Sequence, residues 1–395
     1  MMLPLRGLRV LSIEQYGAGP FGSMYLAAMG AEVIKIEPPR GGDSARASGP
    51  HFLGENDSHF FQTFNQGKQS LTLNLKSAEG QTILRELAAT ADAVMNNLRG
   101  DQPGRLGLTY DALGSVKPAL VCLHLSGYGR TGPRAAWPAY DYLMQAEAGF
   151  LALTGEPDGP PQRMGLSIVD YLSGVTAAFA LTAACYGAAR SGEGHDVDVA
   201  LFDVAMHQLT YPATWYLNEG TETGRRPRSG HPSVVPCELI PTADGTIFVM
   251  CVLPKFWVAL CEILEVPELL SDPRFAKPED RHANRDALMT ILDDAARTRP
   301  SEDWLTRMAG RVPAARVLTM EEALDNPYLA DIDGIAAFDH PARSDLKVLR
   351  TPIRLDGERL DPRPGPGLGA DTDAILRGLG YDAAARDALR ARGAI

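Results

Sequence analysis

The stretch RGLRVLSIEQYGAGPFGSMYLAAMGAEVIKIE, residues 6–37, decides the fold of this chain. LRVLSI (8–13) and EVIKIE (32–37) are short aliphatic and β-branched runs, which are typical of buried strands. PFGSMYLAAMG (20–30) lies between them and predicts a helix, with a proline in its first turn and a glycine at its end. Two strands joined through a helix make a βαβ unit, so the sequence predicts a parallel sheet.

A glycine-rich motif, GAGPFG (17–22), lies between the first strand and the helix, and Glu37 ends the next strand. A GxGxxG loop followed by such an acid is the pattern of a Rossmann dinucleotide site, where the backbone approaches pyrophosphate and the acid binds a ribose. Here Glu14 to Tyr16 separate the strand from the glycines, and Pro20 occupies a variable position. On pattern alone, a nicotinamide or flavin site and a tight turn without ligand both stay open.

The alternation of strand and helix continues through SLTLNL (70–75), AVMNNL (93–98) and ALVCLHLSGYG (119–129), which predicts a doubly wound α/β fold. A polar, Gly- and Pro-rich connection then leads into the middle of the chain. We predict a large domain of residues 1–215 and 325–395, and a smaller α+β domain of residues 216–324 that opens with a hairpin.

The composition excludes several classes of function. The net charge of −11 over 395 residues disfavours nucleic acid or an anionic membrane as partner. Five scattered cysteines without a CxxC pair fit a reducing compartment, and no histidine spacing indicates a metal site. The N-terminus lacks the pattern of a signal peptide and no run reaches eighteen apolar residues, so we expect no transmembrane helix and a cytoplasmic protein.

One carboxylate stands alone in an apolar stretch. GLSIVDYLSGVTAAFAL (165–181) contains a single charged residue, Asp170. An aspartate in that position is either a helix cap or a nucleophile. The pattern by itself does not choose between the two.

Seven stretches together resemble the class III CoA-transferase family, which includes formyl-CoA and carnitine CoA-transferases. They are spread in order from residue 4 almost to the C-terminus, so the resemblance covers the whole chain. The stretches are residues 4–46, 65–80, 97–108, 126–149, 168–178, 192–205 and 367–381.

The resemblance implies an architecture and a ligand. The large domain is expected to be Rossmann-like and built from both chain ends, and two subunits are expected to interlock as a homodimer. The glycine-rich loop would then hold coenzyme A rather than a nicotinamide. No permanently bound cofactor or metal is expected, because coenzyme A enters as an acyl-CoA substrate and a carboxylic acid accepts it.

The same resemblance makes Asp170 the catalytic nucleophile. In this family the aspartate attacks the acyl-CoA thioester and passes through an anhydride to an aspartyl-CoA thioester. An Asp with an unperturbed pKa of about 3.9 is ionised at pH 7, so we expect it to need no neighbouring base. An apolar setting would keep water from the reactive intermediates.

Residues that contact coenzyme A are carried over position by position from formyl-CoA transferase. Two family cations are replaced here by Pro38 and Pro138, and Arg40 or Arg46 is the candidate replacement for the first. Lys76 and Arg105 suit phosphate groups. The full predicted set is Gly17, Ala18, Arg46, Leu73, Lys76, Asn97, Leu98, Arg99, Arg105, Tyr140 and Asp141.

The acceptor site is predicted at SGHPSV (229–234), where formyl-CoA transferase has a glycine-rich loop. This stretch is more similar to dicarboxylate-specific branches of the family, so succinyl-CoA is a candidate donor. Gly230 and His231 are the predicted substrate residues. A nearby basic run, Arg225, Arg226 and Arg228, could meet a second carboxylate.

Two other activities stay open. The racemase branch of the same superfamily epimerises 2-methylacyl-CoA and needs two opposed acid–base groups. It has a histidine where this chain has Tyr140 and a glutamate where this chain has Pro241, which weighs against it. A nicotinamide-dependent oxidoreductase rests only on the glycine-rich loop and Glu37.

Overall fold

The structure, a computed structural model, describes residues 2–395. Its strands are β1 Arg9–Ile13, β2 Glu32–Glu37, β3 Phe52–Gly54, β4 Asp57–Ser58, β5 Gln69–Thr72, β6 Ala93–Asn96, β7 Val121–Ser126, β8 Asp196–Ala200, β9 Cys237–Pro241, β10 Thr246–Met250, β11 Ala314–Arg316, β12 Ile335–His340, β13 Arg343–Leu349, β14 Arg354–Leu355 and β15 Glu358–Arg359. Its α-helices are α1 Ala18–Ala28, α2 His59–Phe64, α3 Ala78–Thr90, α4 Gln102–Arg105, α5 Tyr110–Leu113, α6 Asp141–Glu147, α7 Phe150–Leu153, α8 Ile168–Ser191, α9 Leu201–His207, α10 Thr210–Glu219, α11 Pro254–Ile263, α12 Pro278–Ala283, α13 Arg285–Ala296, α14 Ser301–Met308, α15 Met320–Leu324, α16 Pro327–Asp331, α17 Thr372–Gly378 and α18 Ala383–Ala391.

The chain forms two compact units. The large unit comprises Met1–Ala148, Gly165–Leu209 and Tyr328–Ile395, and the small unit comprises Gly149–Met164 and Thr210–Pro327. The predicted division at residues 215/216 and 324/325 did not place Gly149–Met164 with the middle of the chain. Each unit has its own hydrophobic core.

A six-stranded sheet in the order β5-β2-β1-β6-β7-β8 forms the centre of the large unit. Every neighbouring pair is parallel, which confirms the predicted α/β class. Counting only these six strands along the chain, the order is 3-2-1-4-5-6, the same as in doubly wound nucleotide-binding sheets. The chain reverses its direction of travel between β1 and β6, and ligands of such sheets bind beyond the carboxyl ends of the strands at that point.

Both faces of this sheet are buried, as parallel sheets require. In β1, Leu11 and Ile13 point to one face, where α3 and the C-terminal helices α17 and α18 pack. Val10 points to the other face, which is covered by α1 and α8. Buried aliphatic residues of this kind recur in most of the six strands, and they explain why these strands were recognisable in the sequence.

Helices α1 and α8 approach each other through two glycines. A Cβ atom on Gly22 would lie 2.3 Å from the Gly174 carbonyl oxygen, and one on Gly174 would lie 2.4 Å from the Ala18 carbonyl oxygen. No larger residue fits either position without moving the backbone. The close crossing brings the first turn of α8 beside the first turn of α1.

By length and composition alone, α8 could cross a membrane, contrary to the sequence expectation. A single such helix is weak evidence, because core helices pass the same test. Its buried side chains, among them Ala177, Leu181 and Cys185, belong to the core beneath the sheet. A stripe of its opposite face, Val175, Phe179 and Tyr186, is exposed in the single chain.

The small unit is built around three antiparallel strands in the order β11-β10-β9. The predicted hairpin is present: β9 pairs with β10 from Pro241↔Thr246 to Cys237↔Met250. Helices α11, α13 and α14 pack against it around Trp257, Phe275 and Trp304.

Candidate functional site

The predicted site residues of the large unit follow the carboxyl ends of the central strands. Gly17 follows β1, Leu73 follows β5, Asn97 follows β6, and Asp141 lies beyond β7. The Asn97 side chain links the segments that follow β6 and β1, where the chain reverses its direction across the sheet. Its Oδ1 accepts from the Gln15 amide (2.8 Å) and its Nδ2 donates to the Gln15 carbonyl (2.7 Å). The strand order thus brings together residues that are far apart in the sequence.

Asp170 lies in the first turn of α8 and its carboxylate faces Gly17. A Cβ atom on Gly17 would lie only 2.7 Å from Asp170 Oδ2, so this position requires glycine for the carboxylate to fit. Gly17 is the N-cap of α1. Within residues 2–395, the amides of Ala18 and Gly19 in the first turn of that helix donate no hydrogen bond. Unpaired first-turn amides attract negative charge, so they are suited to an oxyanion at Asp170.

Asp141 caps the helix that carries Asp170. Its Oδ2 accepts the Asp170 amide (2.9 Å), and its Oδ1 accepts from Gln145 Nε2 (2.6 Å). Gln145 Nε2 also donates to the Leu166 carbonyl (3.1 Å), just before α8 begins. Asp141 is buried and both of its oxygens accept hydrogen bonds within the protein, so its side chain fixes the start of the helix that carries Asp170.

The setting of Asp170 changes its acidity. Burial, and secondarily the charge of Asp141, raise the pKa of Asp170 from 3.8 to about 7. The expectation of a fully ionised nucleophile at pH 7 is therefore wrong, because it took the pKa of an unperturbed aspartate. A sizeable fraction of the free protein therefore carries a neutral Asp170 at that pH.

Two predicted phosphate-binding cations lie together around an acid that the sequence analysis missed. Arg99 forms two hydrogen bonds with Asp101 (2.6 and 3.1 Å), and Arg105 Nη1 lies 3.2 Å from Asp101 Oδ2. The Arg105 side chain is 70% exposed, so its guanidinium is accessible. The i,i+4 spacing of Asp101 and Arg105 on a short helix was the available signal for this cluster.

Lys76 is exposed and lies on a loop that is hydrogen-bonded, through Gln81, to the residue after α4, the helix of Arg105. Gln81 Nε2 donates to the Leu75 carbonyl (2.7 Å) and to the Leu106 carbonyl (3.1 Å). Leu73 differs from its neighbours, because its side chain is buried in the core and only its backbone is available. Leu98 is partly buried beside the same core.

Arg46 does not fit the predicted role. It is fully buried, with two hydrogen bonds to Glu37 (2.8 and 2.7 Å) and others to the Pro366 and Asn56 carbonyls. Its guanidinium also lies over the Phe61 ring at 3.7 Å. The prediction that it replaces a missing phosphate ligand is contradicted, because no donor is left for a ligand. Arg40, which is exposed, is the other candidate.

Glu37 is equally unavailable to a ribose. Besides Arg46, it accepts from Ser70 Oγ (2.7 Å) and the Asp43 amide (2.9 Å). Burial alone would raise the pKa of Glu37, but hydrogen bonds and charges from Arg46 and Lys35 outweigh it, so the pKa is lowered. The Glu37 carboxylate is therefore engaged in hydrogen bonds and an ion pair within the protein. A nicotinamide site loses the acid that was predicted to bind its ribose.

Tyr140 is 66% exposed at the N-cap of α6, immediately before Asp141. Trp137 beside it is also exposed. Exposed aromatic rings near a site are suited to stacking on a base or to contact with another chain.

In the small unit, the His231 ring stacks on Tyr211. Its Nδ1 accepts the amides of Ser233 and Val234 (3.1 Å each), so the ring proton is assigned to Nε2, which lies 3.1 Å from Tyr211 Oη. Burial and the charge of Arg285 lower the pKa of His231, which favours the neutral ring. A Cβ atom on Gly230 would lie 2.3 Å from Arg285 Nη1, so a larger residue there would displace Arg285.

Only part of the predicted basic run is accessible. Arg225 donates to the carbonyls of Glu156, Gly159 and Pro160, and Arg228 pairs with Asp293. Arg226 is exposed, and it has no ion-pair partner in the part of the chain that the structure describes. No group of His, Cys, Asp or Glu residues between positions 2 and 395 is arranged to hold a metal ion.

Comparison with known proteins agrees with this geometry. The profile of CoA-transferase family III matches residues 5–372. The chain is 34% identical to the succinate–glutarate CoA-transferase of Agrobacterium fabrum over 389 residues, which cover 95% of this chain and 96% of the relative. It is 37% identical to the acetyl-CoA:oxalate CoA-transferase of Acetobacter aceti, covering 83% and 84%.

Solved structures show the same relationship. A crystal structure of a CaiB/BaiF family protein from Brucella suis matches with a TM-score of 0.81 at 32% identity, covering 96% of this chain and all of that one. Rv3272 from Mycobacterium tuberculosis matches with a TM-score of 0.84 at 31% identity, covering 94% and 99%. The chain belongs to CoA-transferase family III.

Proposed function

We propose that the protein transfers coenzyme A from an acyl-CoA, with succinyl-CoA the leading candidate, to a carboxylic or dicarboxylic acid through a covalent intermediate on Asp170. Relatives named for succinyl-CoA with glutarate or mesaconate support this choice of substrates. The observation that carries the proposal is the Asp170 carboxylate packed against Gly17, beside two unpaired amides.

The transfer is a sequence of acyl exchanges. The Asp170 carboxylate attacks the thioester carbonyl, forming a mixed anhydride and releasing CoA thiolate. The thiolate then attacks the Asp170 carbonyl of the anhydride, which leaves aspartyl-CoA and the free donor acid. The acceptor carboxylate attacks aspartyl-CoA to give a second anhydride, and CoA thiolate attacks the acceptor carbonyl, restoring Asp170.

Each exchange passes through a tetrahedral oxyanion on or beside Asp170. The amides of Ala18 and Gly19 supply donors in the first turn of α1, where the helix dipole also favours negative charge. Thioester energy is conserved because one carboxylate replaces another. Arg105, Arg99 and Lys76 are the accessible cations for the CoA phosphates.

A dicarboxylate acceptor has a second charge to bind. Because the Tyr211 oxygen accepts from His231 Nε2, its own proton is available to a substrate carboxylate. Arg226 offers a further cation in the same unit. We propose that these three residues of the small unit bind a carboxylate of the acceptor, and that the enzyme works as a homodimer.

The test is to trap the intermediate. Protein mixed with succinyl-CoA and then treated with hydroxylamine or borohydride should carry a modification on the peptide that contains Asp170, detected by mass spectrometry. Asp170→Asn should abolish both the modification and the turnover while acyl-CoA still binds. An unmodified Asp170 in a preparation that turns over substrate would reject the mechanism.

A further inference from the structure

A buried cluster of charges underlies the loop that faces Asp170, and the mechanism above does not use it. The cluster consists of Glu14, Lys35, Asp43 and Lys68, and each residue is at most 5% exposed. Two cations and two anions balance, so the cluster carries no net charge. Buried ionic groups of this kind are costly to desolvate, and their value is often in fixing a conformation.

Lys68 ties the two ends of the loop together. Its Nζ donates to Glu14 Oε1 (2.7 Å) just after β1, to the Pro20 carbonyl (3.0 Å) in the first turn of α1, and to Asn65 Oδ1 (2.9 Å). Ser23 Oγ donates to the same Glu14 oxygen (2.5 Å). One ammonium group therefore sets the distance between the end of the strand and the start of the helix.

Lys35 and Asp43 hold the middle of the same loop. Lys35 Nζ donates to the Glu14 carbonyl (2.9 Å) and lies 2.8 Å from Asp43 Oδ2. Asp43 Oδ1 accepts the amide of Tyr16 (3.0 Å), which has a left-handed φ of 66°. A non-glycine residue in that conformation needs support from its surroundings, and this hydrogen bond supplies it.

We propose that Lys68 and Glu14 are positioning residues: their buried pair holds Gly17 and the free amides of Ala18 and Gly19 in register with the Asp170 carboxylate. The inference rests on the proposed role of Asp170. Neither residue touches the substrate. They act through the loop, whose place relative to Asp170 leaves no room even for a methyl group at Gly17.

Four variants separate positioning from simple stabilisation. Lys68→Met removes the cation, Glu14→Gln keeps an acceptor for Lys68 but removes the charge, and the double variant removes both charges. His340→Gln is the matched control, because His340 forms another buried pair in the large unit, with Asp57 at 2.9 Å, and has no contact with the loop. For each variant we would measure kcat, KM for the acyl-CoA and the melting temperature.

We expect Lys68→Met to lower kcat by about 10- to 100-fold with KM within about threefold, because small displacements of reacting groups have effects of that size. The double variant should recover melting temperature relative to Lys68→Met, since no lone buried charge remains, but should keep the low kcat. Glu14→Gln should retain more activity than Lys68→Met. His340→Gln should lose stability and keep kcat.

A second measurement does not depend on the chemistry of Asp170. Amide hydrogen exchange of Gln15, Tyr16 and Phe21, each hydrogen-bonded in this loop, should become at least about tenfold faster in Lys68→Met and unchanged in His340→Gln. If these amides exchange at the wild-type rate and kcat falls no further than in the control, the inference is wrong. If the two variants exchange as expected but no modification forms on Asp170 in the wild type, the proposed mechanism fails and the positioning of the loop stands.

Discussion

The most direct consequence of the structure is a pH dependence of the reaction near neutrality. In the proposed mechanism only the ionised Asp170 attacks the thioester, and the pKa of Asp170 is raised to about 7. The rate should therefore rise tenfold per pH unit below about 7 and level off above it. Asp141→Asn should lower this inflection, because the charge of Asp141 is the second cause of the raised pKa, after burial.

The expected shift of the inflection in Asp141→Asn follows from the relative size of the two effects on the pKa of Asp170, burial and the charge of Asp141. Together they raise the pKa from 3.8 to about 7, and burial is the larger, so removing the charge should lower the inflection by about one pH unit and by no more than about 1.5. Asparagine keeps a side-chain oxygen that can accept the Asp170 amide, so α8 should remain capped. Asp141→Ala would confuse the loss of charge with the loss of the cap.

The assay is kcat/KM for the acyl-CoA between pH 5 and 9, at constant ionic strength, following the new CoA ester by chromatography. Glu147→Gln is a control, since it removes an acid from the exposed end of α6 that pairs with Arg134 instead of facing Asp170. A wild-type profile that is flat from pH 5 to 8 would refute the raised pKa. An inflection that stays in place in Asp141→Asn would show that Asp141 acts only as a cap.

Three further outcomes are expected. Above pH 7, Asp170→Asn should be more stable than the wild type by up to about 4 kcal/mol of unfolding free energy, and this difference should vanish below pH 4, because the pKa of Asp170 is higher in the folded state than in the unfolded state. Urea unfolding at several pH values would measure the difference, and equal stability of the two proteins at pH 8 would contradict the prediction. Arg46→Met should lower the free energy of unfolding by about 3–5 kcal/mol, because it leaves the buried Glu37 without its arginine partner. The KM for the acyl-CoA should stay unchanged in the folded variant; a tenfold rise in that KM would show that Arg46 binds the ligand after all. Gly22→Ala should lower both the melting temperature and kcat, because the new methyl group collides with the Gly174 carbonyl; an unchanged kcat would show that the helix crossing does not position Asp170.

The sheet was predictable from the sequence because its signal is local. Most central strands carry several buried aliphatic residues within four to six positions, and the turn after β1 carries its own glycine pattern. The crossing of α1 and α8 was not predictable, because nothing local says that Gly22 and Gly174 meet. Their contact depends on which helix covers which face of the sheet.

The candidate site divides in the same way. Asp170 was recognisable because a single charge in an apolar stretch is rare, and a family motif surrounds it. Arg46 was misjudged because the sequence shows that a charge is present but not whether it is buried. Lys68 and Glu14 were overlooked for the same reason: a lysine in a polar stretch is usually exposed, and only the fold shows this one enclosed beside a carboxylate.

The raised pKa of Asp170 also bears on the energetics of the intermediate. In the proposed mechanism Asp170 loses its negative charge when it is acylated or carries coenzyme A, and the released thiolate or donor acid takes the charge away. The same burial and repulsion that oppose ionisation, equivalent to about 4 kcal/mol for a pKa of about 7, therefore favour the covalent state over the free carboxylate. Because the raised pKa lies close to 7, a substantial part of Asp170 is still ionised at neutral pH. Burial and repulsion thus slow the first attack and favour the neutral covalent states of Asp170 over the free carboxylate, which gives a physical reason for placing one aspartate in an apolar stretch of sequence.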